Sequence, residues 1–437
     1  MDKNHTFILG AGITGLTVGY HSCFPIIEAK DYPGGICSSY YLRTKDKKRL
    51  RKPSSDGKAY RFENGGGHWI FGADKKILQF IRKFTSLKSY KRRSAVYFNK
   101  KKFYVPYPLQ NNLRFFKKEI INKILKELSS KSLGLSTTKE KWLLDNFGTI
   151  LCKLFFFPFH SLYTANLYKR IAPQDTFKSP IDISLVIQGA SHEIISGGYN
   201  TDFVYPVEGL NTLVDRISNH CNILYNKRLV KIDVKSKNIY FSDGSTKSYE
   251  RLISTLSLNK MMQMADLAID ERPDPYTSVL VLNIGAVRGK RCPDEHWLYI
   301  PDSKSGFYRV GFYSNVDNSF IPKAFRKTNN RVAIYVERAY RDGHKPSGQE
   351  LKAYSRSVIK ELKHWAFVEN IEIIDSTWID VAYTWSWPNS KWKEHALEIL
   401  KKHNIHQLGR YGGWKFQGIA DSIREGLAFS SSLGKYE

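Results

Sequence analysis

Residues 6–15 read Thr6-Phe7-Ile8-Leu9-Gly10-Ala11-Gly12-Ile13-Thr14-Gly15, and their spacing decides the first domain. Thr6 to Leu9 suit a short buried strand, Gly10 to Gly15 form a glycine turn, and Leu16 to Ser22 suit a short helix. A second strand is expected over Pro25 to Ala29, with Glu28 near its end and separated from Gly15 by only twelve residues. Glycines at this spacing allow a tight turn and let a pyrophosphate approach the N–H groups at a helix N-terminus. A carboxylate closing the next strand accepts hydrogen bonds from ribose hydroxyls, so Glu28 argues for an unphosphorylated ribose, as in FAD or NAD. The glycine pattern alone is weak and could be a chance turn. Its position near the N-terminus, its flanking strands and the acid in place reinforce one another, so Gly10, Gly12, Gly15 and Glu28 are expected to hold a dinucleotide.

Composition narrows the class. The chain has 437 residues, enough for two or three packed units. Hydrophobic residues make up 42% and charged residues 25%, an ordinary globular balance. No run of the sequence approaches the roughly 20 apolar residues of a membrane span. Thr6 to Leu16 is too short, and no secretion signal is evident, so the reading is a cytoplasmic protein without an integral membrane segment. Cys23, Cys37, Cys152, Cys221 and Cys292 are scattered, with neither a CxxC nor a metal-ligand spacing, so no metal site is expected. A formal charge of +27 would attract phosphate-bearing substrates, nucleic acid or an anionic surface. A Lys-rich bias on solvated faces explains it equally. Arg43 to Lys52 and Lys100 to Lys102 lack the interleaved aromatics of a single-strand binder, so nucleic acid is not expected.

Outward from the first motif, turns are read at Asp31 to Tyr40 and Glu63 to Gly72, both glycine-rich and suited to lie against a ligand. Helical spacing recurs over Leu113 to about Ser132 and over Lys139 to Phe156, with further helix in the next forty residues. Around Asp202 to Leu210 the chain turns into a helix. Strands follow at Ile223 to Ile232, Asn238 to Asp243 and Leu252 to Thr255, with Asp243-Gly244 as a hairpin turn. Strand-like runs at Val279 to Ala286, Trp297 to Ile300, Tyr308 to Tyr313 and Arg331 to Val336 predict an antiparallel sheet. A strand over His406 to Leu408 and a helix over Asp421 to Leu433 close the first domain. The expected class is α/β: a Rossmann-like nucleotide domain with a helical insertion and an antiparallel-sheet substrate domain. Its parts are 1–85, 201–265 and 396–437 for the nucleotide domain, 86–200 for the insertion and 266–395 for the substrate sheet.

Pro33-Gly34-Gly35 lies just beyond Glu28. With the first motif it resembles the FAD-binding flavoprotein superfamily that includes amine oxidases, protoporphyrinogen oxidase and UDP-galactopyranose mutase, in which this segment lies along the FAD. Four further segments resemble the mutases, chiefly those of eukaryotic type. Gly65-Gly66-Gly67-His68-Trp69-Ile70-Phe71 looks like the loop whose histidine approaches the flavin. Val105-Pro106-Tyr107-Pro108-Leu109-Gln110-Asn111-Asn112 is similar to the stretch that contacts the nucleotide base, and Arg93 matches an arginine upstream of it. Trp297-Leu298-Tyr299-Ile300-Pro301, with Phe307-Tyr308-Arg309, matches the segment whose arginine binds the substrate diphosphate, a task suited to a two-point guanidinium. Gly409-Arg410-Tyr411-Gly412-Gly413-Trp414-Lys415 resembles the C-terminal segment next to the flavin, and the helix opening near Asp421 and Ser422 would aim its positive end at the flavin pyrimidine. Taken residue by residue, His68 also reads as a structural histidine, Tyr107 as a packed loop tyrosine, and Arg309 as an exposed strand arginine.

The departures are informative. Where the mutases carry a substrate-stacking tryptophan, this chain has Tyr163 or Thr164. Arg170 stands where a second diphosphate arginine is expected, after a shorter segment. Phe416 replaces a diphosphate-binding tyrosine, Val316 falls at another tyrosine, and Tyr383 is a candidate replacement. The resemblance implies a mutase of cell-surface polysaccharide synthesis that interconverts pyranose and furanose forms of a UDP-galactose-like nucleotide diphosphate sugar. Reduced FAD would act there through an N5 sugar adduct, with NADPH as one possible reductant. In that picture His68, Arg309 and Arg170 are catalytic. Gly10, Gly12, Gly15, Glu28, Gly34, Gly35, Gly66, Gly67, Arg410, Asp421 and Ser422 hold the cofactor. Arg93, Tyr107, Gln110, Asn111, Tyr163, Tyr299, Tyr383 and Phe416 join Arg309 on the substrate. An FAD-dependent oxidoreductase of the amine oxidase or desaturase kind is the alternative, and a flavin-bearing binding protein without turnover is a third. Oligomeric state is not readable from the sequence.

Overall fold

Five short strands carry the N-terminal motif. In spatial order they are Ile223–Leu224, Ile26–Ile27, Thr6–Leu9, Arg251–Ser254 and Ile405–Gln407, and every neighbouring pair is parallel. Thr6–Leu9 is buried along its whole length, as a parallel strand covered on both faces must be. This computed structural model describes residues 5–45, 47–129, 136–174, 182–192 and 201–433. Helix Ile13–Ser22 leaves the glycine turn three residues earlier than predicted, because Ile13, Thr14 and Gly15 already form its first turn behind Gly12 at the N-cap. The predicted strand Ile223 to Ile232 is two strands. Asn226 takes a left-handed backbone conformation between them, which its short side chain tolerates. The second half, Leu229–Asp233, pairs in a separate antiparallel sheet with Asn238–Phe241 and Thr246–Ser248.

The second layer is a seven-stranded sheet: Val368–Thr384, Tyr276–Arg288, Arg331–Arg341, Arg309–Phe312, Trp297–Tyr299, Ser94–Phe98 and Phe103–Pro106. All its pairs are antiparallel except Trp297–Tyr299 with Ser94–Phe98. The segment read as a helical insertion therefore opens with strand Leu87–Lys91, paired with Asp202–Pro206 in a separate sheet, and continues with two strands of this one. Side chains alternate between its faces with period two. Leu280, Leu282, Ile284, Val332, Ile334 and Val336 face helix Gly348–His364, whose start is fixed by a Ser347/Glu350 capping box. Val279, Val281, Ala333 and Tyr335 face the nucleotide domain. Glu337 follows Tyr335 by two residues and is placed on that same inward face. The α/β class, with a Rossmann-like domain set against an antiparallel sheet, is the fold observed.

Helices Lys118–Ser129, Lys139–Leu151, Phe157–Tyr163 and Ile183–Gln188 lie among the described residues between Phe116 and residue 192; the expected end of the first at Ser132 lies outside the described residues. The run Lys139–Tyr163 breaks at Gly148, whose φ of 79° and ψ of 167° are not helical, and then passes through a π turn at Cys152–Phe156. By length and composition it is long enough and apolar enough to cross a bilayer, which the sequence reading did not anticipate. Nearly half of its most apolar window, 44%, is buried inside the protein, with Phe147, Phe155 and Phe156 in the main core. Those side chains are already covered by protein.

Candidate functional site

A cavity of about 420 Å3 lies between the glycine turn and the inward face of the seven-stranded sheet. Gly10, Gly12, Glu28, Gly34 and Gly35 line one end, and His68, Trp69, Tyr308, Arg309, Glu337 and Tyr383 line it from the side of the sheet. The C-terminal loop and helix contribute Arg410, Tyr411, Phe416, Gln417, Asp421 and Ser422. Segments far apart in the chain, all but the strand carrying Glu337 chosen from sequence as touching a cofactor or a substrate, thus share one space.

The first end fits a dinucleotide on its own geometry. Gly15 packs so closely that an added Cβ would lie 2.0 Å from the carbonyl oxygen of Gly10, so only glycine permits this turn. A Cβ on Gly12 would meet no protein atom within 4 Å. Gly12 caps the helix without a side-chain bond, so N–H groups of the first turn stay available to an anion in the cavity. The Glu28 carboxylate is already oriented, accepting from Ala11 N at 2.8 Å and Lys30 N at 2.9 Å. At the other end, helix Ile419–Leu433 begins against the cavity, and Glu425 ties down the preceding loop by accepting from Gly409 N, Lys415 Nζ and Gln417 Nε2 at 3.0, 2.9 and 2.7 Å. Pyrophosphate, ribose and an electron-poor ring edge all have suitable partners here, as bound FAD would require.

Between these ends, the loop at 65–71 presents His68. Its Nδ1 lies 3.3 Å from the Gly66 carbonyl oxygen. Burial, aided by the Arg410 charge, lowers its pKa to about 4, so the ring is neutral near pH 7. Arg410 donates to the carbonyl oxygens of Gln417 and Ala382 at 2.8 and 2.9 Å, and its guanidinium sits 5.1 Å from the Tyr383 ring and 4.7 Å from Phe416. It has no carboxylate partner among the described residues. Cys37, also on the lining, is pushed up to about 12, first by burial and then by Glu63, so its thiol stays protonated.

Arg309 reaches the cavity, but not as a free cation. Its Nε donates to Glu337 Oε2 at 2.8 Å and its Nη2 to Oε1 at 2.5 Å, while the Tyr308 hydroxyl donates to Oε2 at 2.6 Å. The expected two-point grip on a diphosphate is corrected in one respect, since that edge of the guanidinium is held by a carboxylate of the protein. Glu337 was missed by sequence reasoning. The available signal was an acid inside the apolar run Val332 to Val336 and Ala339, two residues beyond Tyr335.

Several expected substrate residues lie outside this cavity. Arg170 is exposed, with its guanidinium 5.7 Å from the Trp387 ring, because Ala172 N bonds to Ser386 O at 2.8 Å and pins the segment there. Arg93 is also exposed and donates to Asn315 O at 3.2 Å. Tyr107 packs on Tyr299 with centroids 4.6 Å apart, and Gln110 and Asn111 are buried in the turn Leu109–Asn111. Tyr163 stands behind the lining, 5.3 Å from Tyr308 and 4.8 Å from Tyr383. Aromatic packing claims these side chains. Gly15 and Gly66 shape the wall without lining it, whereas Gly67, Asp421, Ser422, Tyr383 and Phe416 line it directly.

The model of one protein family, described as flavin containing amine oxidoreductase, matches residues 24–286, more than half of the chain. The chain belongs to this family. Like other flavin-containing amine oxidoreductases it pairs a nucleotide domain with a sheet domain, and solved structures extend the likeness. It is similar to reduced UDP-galactopyranose mutase, with 20% identity, 99% of this chain and 96% of that one covered, and a TM-score of 0.82. It is similar to a candidate protoporphyrinogen oxidase from Exiguobacterium sp. 255-15 at 13% identity, covering all of both chains, with a TM-score of 0.72. Putrescine oxidase bound to putrescine matches at 12% identity over 98% of each chain, with a TM-score of 0.58. Identities this low concern the fold and leave the substrate to the site's own chemistry.

Proposed function

We propose that this flavoprotein holds FAD along the cavity and interconverts pyranose and furanose forms of a nucleotide diphosphate sugar, with a UDP-galactose-like compound as substrate. The observation that carries the reading is the convergence of Arg309, His68 and the glycine cradle on one space. When bound and reduced, by NADPH or another donor, FAD would supply the nucleophilic chemistry at the sugar carbon. The chain's own residues bind and orient. Gly12 and the first turn behind it hold the cofactor pyrophosphate, and Glu28 its ribose. Arg309 offers the substrate phosphates the part of its guanidinium that Glu337 leaves open, and Arg410 adds the positive charge that the paired Arg309 lacks. Neutral His68 exchanges a hydrogen bond without adding charge, and Tyr383 and Phe416 wall the space against water.

A second reading is favoured by the Arg309–Glu337 pair and the exposure of Arg170, since both weaken the case for a diphosphate. In it, the cavity would hold a small amine or alcohol against FAD, which would supply hydride-accepting chemistry when bound and oxidised. The two separate in paired anaerobic samples, one reduced with dithionite and one oxidised, each given UDP-galactose or UDP-N-acetylgalactosamine and assayed for furanose product, with small amines and alcohols added to further oxidised protein. Product formed only with reduced flavin supports the mutase. No product, together with flavin bleaching by a small amine or alcohol and recovery of colour in air, favours the oxidoreductase.

A further inference from the structure

We propose that Glu337 is a positioning and specificity residue that aims Arg309 and sets the charge an incoming phosphate meets. Arg309 and Glu337 are direct cross-strand partners on the antiparallel strands Arg309–Phe312 and Arg331–Arg341, so both project from the inward face at the same level. The carboxylate side chain is only 2% exposed, and the guanidinium 13%. Two contacts from Arg309 and one from Tyr308 fix the carboxylate, and through it the plane of the guanidinium. On the far side, Gly66 presses against it: a Cβ there would lie 2.7 Å from Glu337 Oε1, and Gly66 has a φ of +80°. Glu337 is thus wedged between the arginine and the loop carrying His68.

Two consequences follow for a ligand. The side-on edge of Arg309, formed by Nε and Nη2, is taken, which leaves an end-on approach through Nη1 and the outer N–H of Nη2. The charges of the pair also cancel. A ligand whose phosphates are internal, as in a nucleotide diphosphate sugar, carries one negative charge fewer than the nucleoside diphosphate released from it. A carboxylate beside the binding arginine penalises that extra charge and favours the sugar-bearing form.

The assignment of ligand rests on the mutase reading; the geometry of the pair does not. The test therefore has two readouts on FAD-loaded protein, comparing the wild type with Glu337→Gln and Tyr308→Phe. The first is the rate at which phenylglyoxal modifies Arg309, followed by peptide mass spectrometry. Glu337→Gln should raise it roughly tenfold, the scale expected when a charged partner is removed at close range, and Tyr308→Phe should raise it less. An unchanged rate in Glu337→Gln, with FAD still bound at wild-type stoichiometry, overturns the proposal whatever the substrate. The second is calorimetric affinity for UDP and for UDP-galactose. Glu337→Gln should tighten UDP more than UDP-galactose, while kcat falls and KM does not rise. Equal effects on both ligands overturn the charge-setting role, and absence of UDP binding by the wild type refutes the mutase reading while the modification rate still judges the pair.

Discussion

Replacing Gly12 and Gly15 by alanine, one at a time, should separate cofactor binding from folding. Gly12 has φ −69° and ψ 172°, an extended conformation open to any residue. Its added methyl would touch no protein atom within 4 Å. Alanine in place of an N-cap glycine costs at most about 1 kcal/mol, so the cofactor-free protein should melt close to the wild type. The methyl would, however, stand where the FAD pyrophosphate must approach the helix. Losing one or two charge-assisted hydrogen bonds at about 1.5–3 kcal/mol each should weaken FAD binding by about 3 kcal/mol, roughly a hundredfold. Gly15→Ala places its methyl 2.0 Å from Gly10 O and 3.4 Å from Ile8 Cγ2. Backbone must move there, and the cofactor-free protein itself should lose about 1–3 kcal/mol. The assay is a pair of measurements on each variant: thermal melting without cofactor, and titration with FAD by fluorescence. Wild-type FAD affinity in Gly12→Ala would refute the placement of the pyrophosphate.

Arg309→Ala should destabilise the fold by about 3 kcal/mol because it strands the buried Glu337 carboxylate, and adding Glu337→Gln should recover most of that loss in chemical denaturation; a double variant no more stable than the single would contradict the pairing. Stability should also fall as pH drops from about 6.5 towards 4. Burial lowers His68, His160 and His296 to about 4, 3 and 4 from the usual 6.5, so in that window the unfolded chain takes up protons that the folded chain refuses. Glu63 works in the opposite direction: burial raises it to about 7 from 4.5, so its contribution is present at low pH and lost as pH rises through 7. Burial lowers His406 as well, and it raises Asp215, Asp274 and Glu295 in the same direction as Glu63, of which Glu63 alone reaches about 7. With four histidines lowered, the melting temperature should decline below pH 6.5, and a flat profile would refute the burial of these rings. Glu28→Gln should weaken FAD by about 1.5–3 kcal/mol, the scale of a hydrogen bond to a charged group, with little change in melting of the cofactor-free protein; equal loss in both would make Glu28 a structural residue.

Local chemistry made the nucleotide domain readable. The turn at Gly10 to Gly15, the acid at Glu28 and the second glycine turn at Gly34 and Gly35 owe their positions to steric limits that act within a few residues. The edge strands and the strand after Asn226 were misjudged by a few residues for the same reason, since an apolar run does not reveal where one left-handed residue divides it. Strand Val368–Thr384 carries Glu369, Glu372, Asp375 and Asp380 among its apolar residues, because parts of it remain in contact with solvent. Its alternation with polar groups hid a long edge strand that pairs with Tyr276–Arg288. The substrate side was harder still. Arg309 was legible as a site residue, yet its partner Glu337 is 28 residues away and is brought opposite only by strand register. Arg170 was placed by resemblance across a segment shorter than the family's, and its exposure depends on the path taken by the segment bonded to Ser386.

The claim that a phosphate-binding arginine and the flavin share one cavity is tested most directly by a flavin difference spectrum recorded while UDP is added to the FAD-loaded protein. With FAD held along the cavity as proposed, a ligand seated at Arg309 would lie beside the ring, so UDP should perturb the flavin absorbance saturably, and Arg309→Gln should shift that titration at least tenfold to higher concentration. A spectrum that UDP leaves unchanged, or a titration identical in Arg309→Gln, would contradict the account.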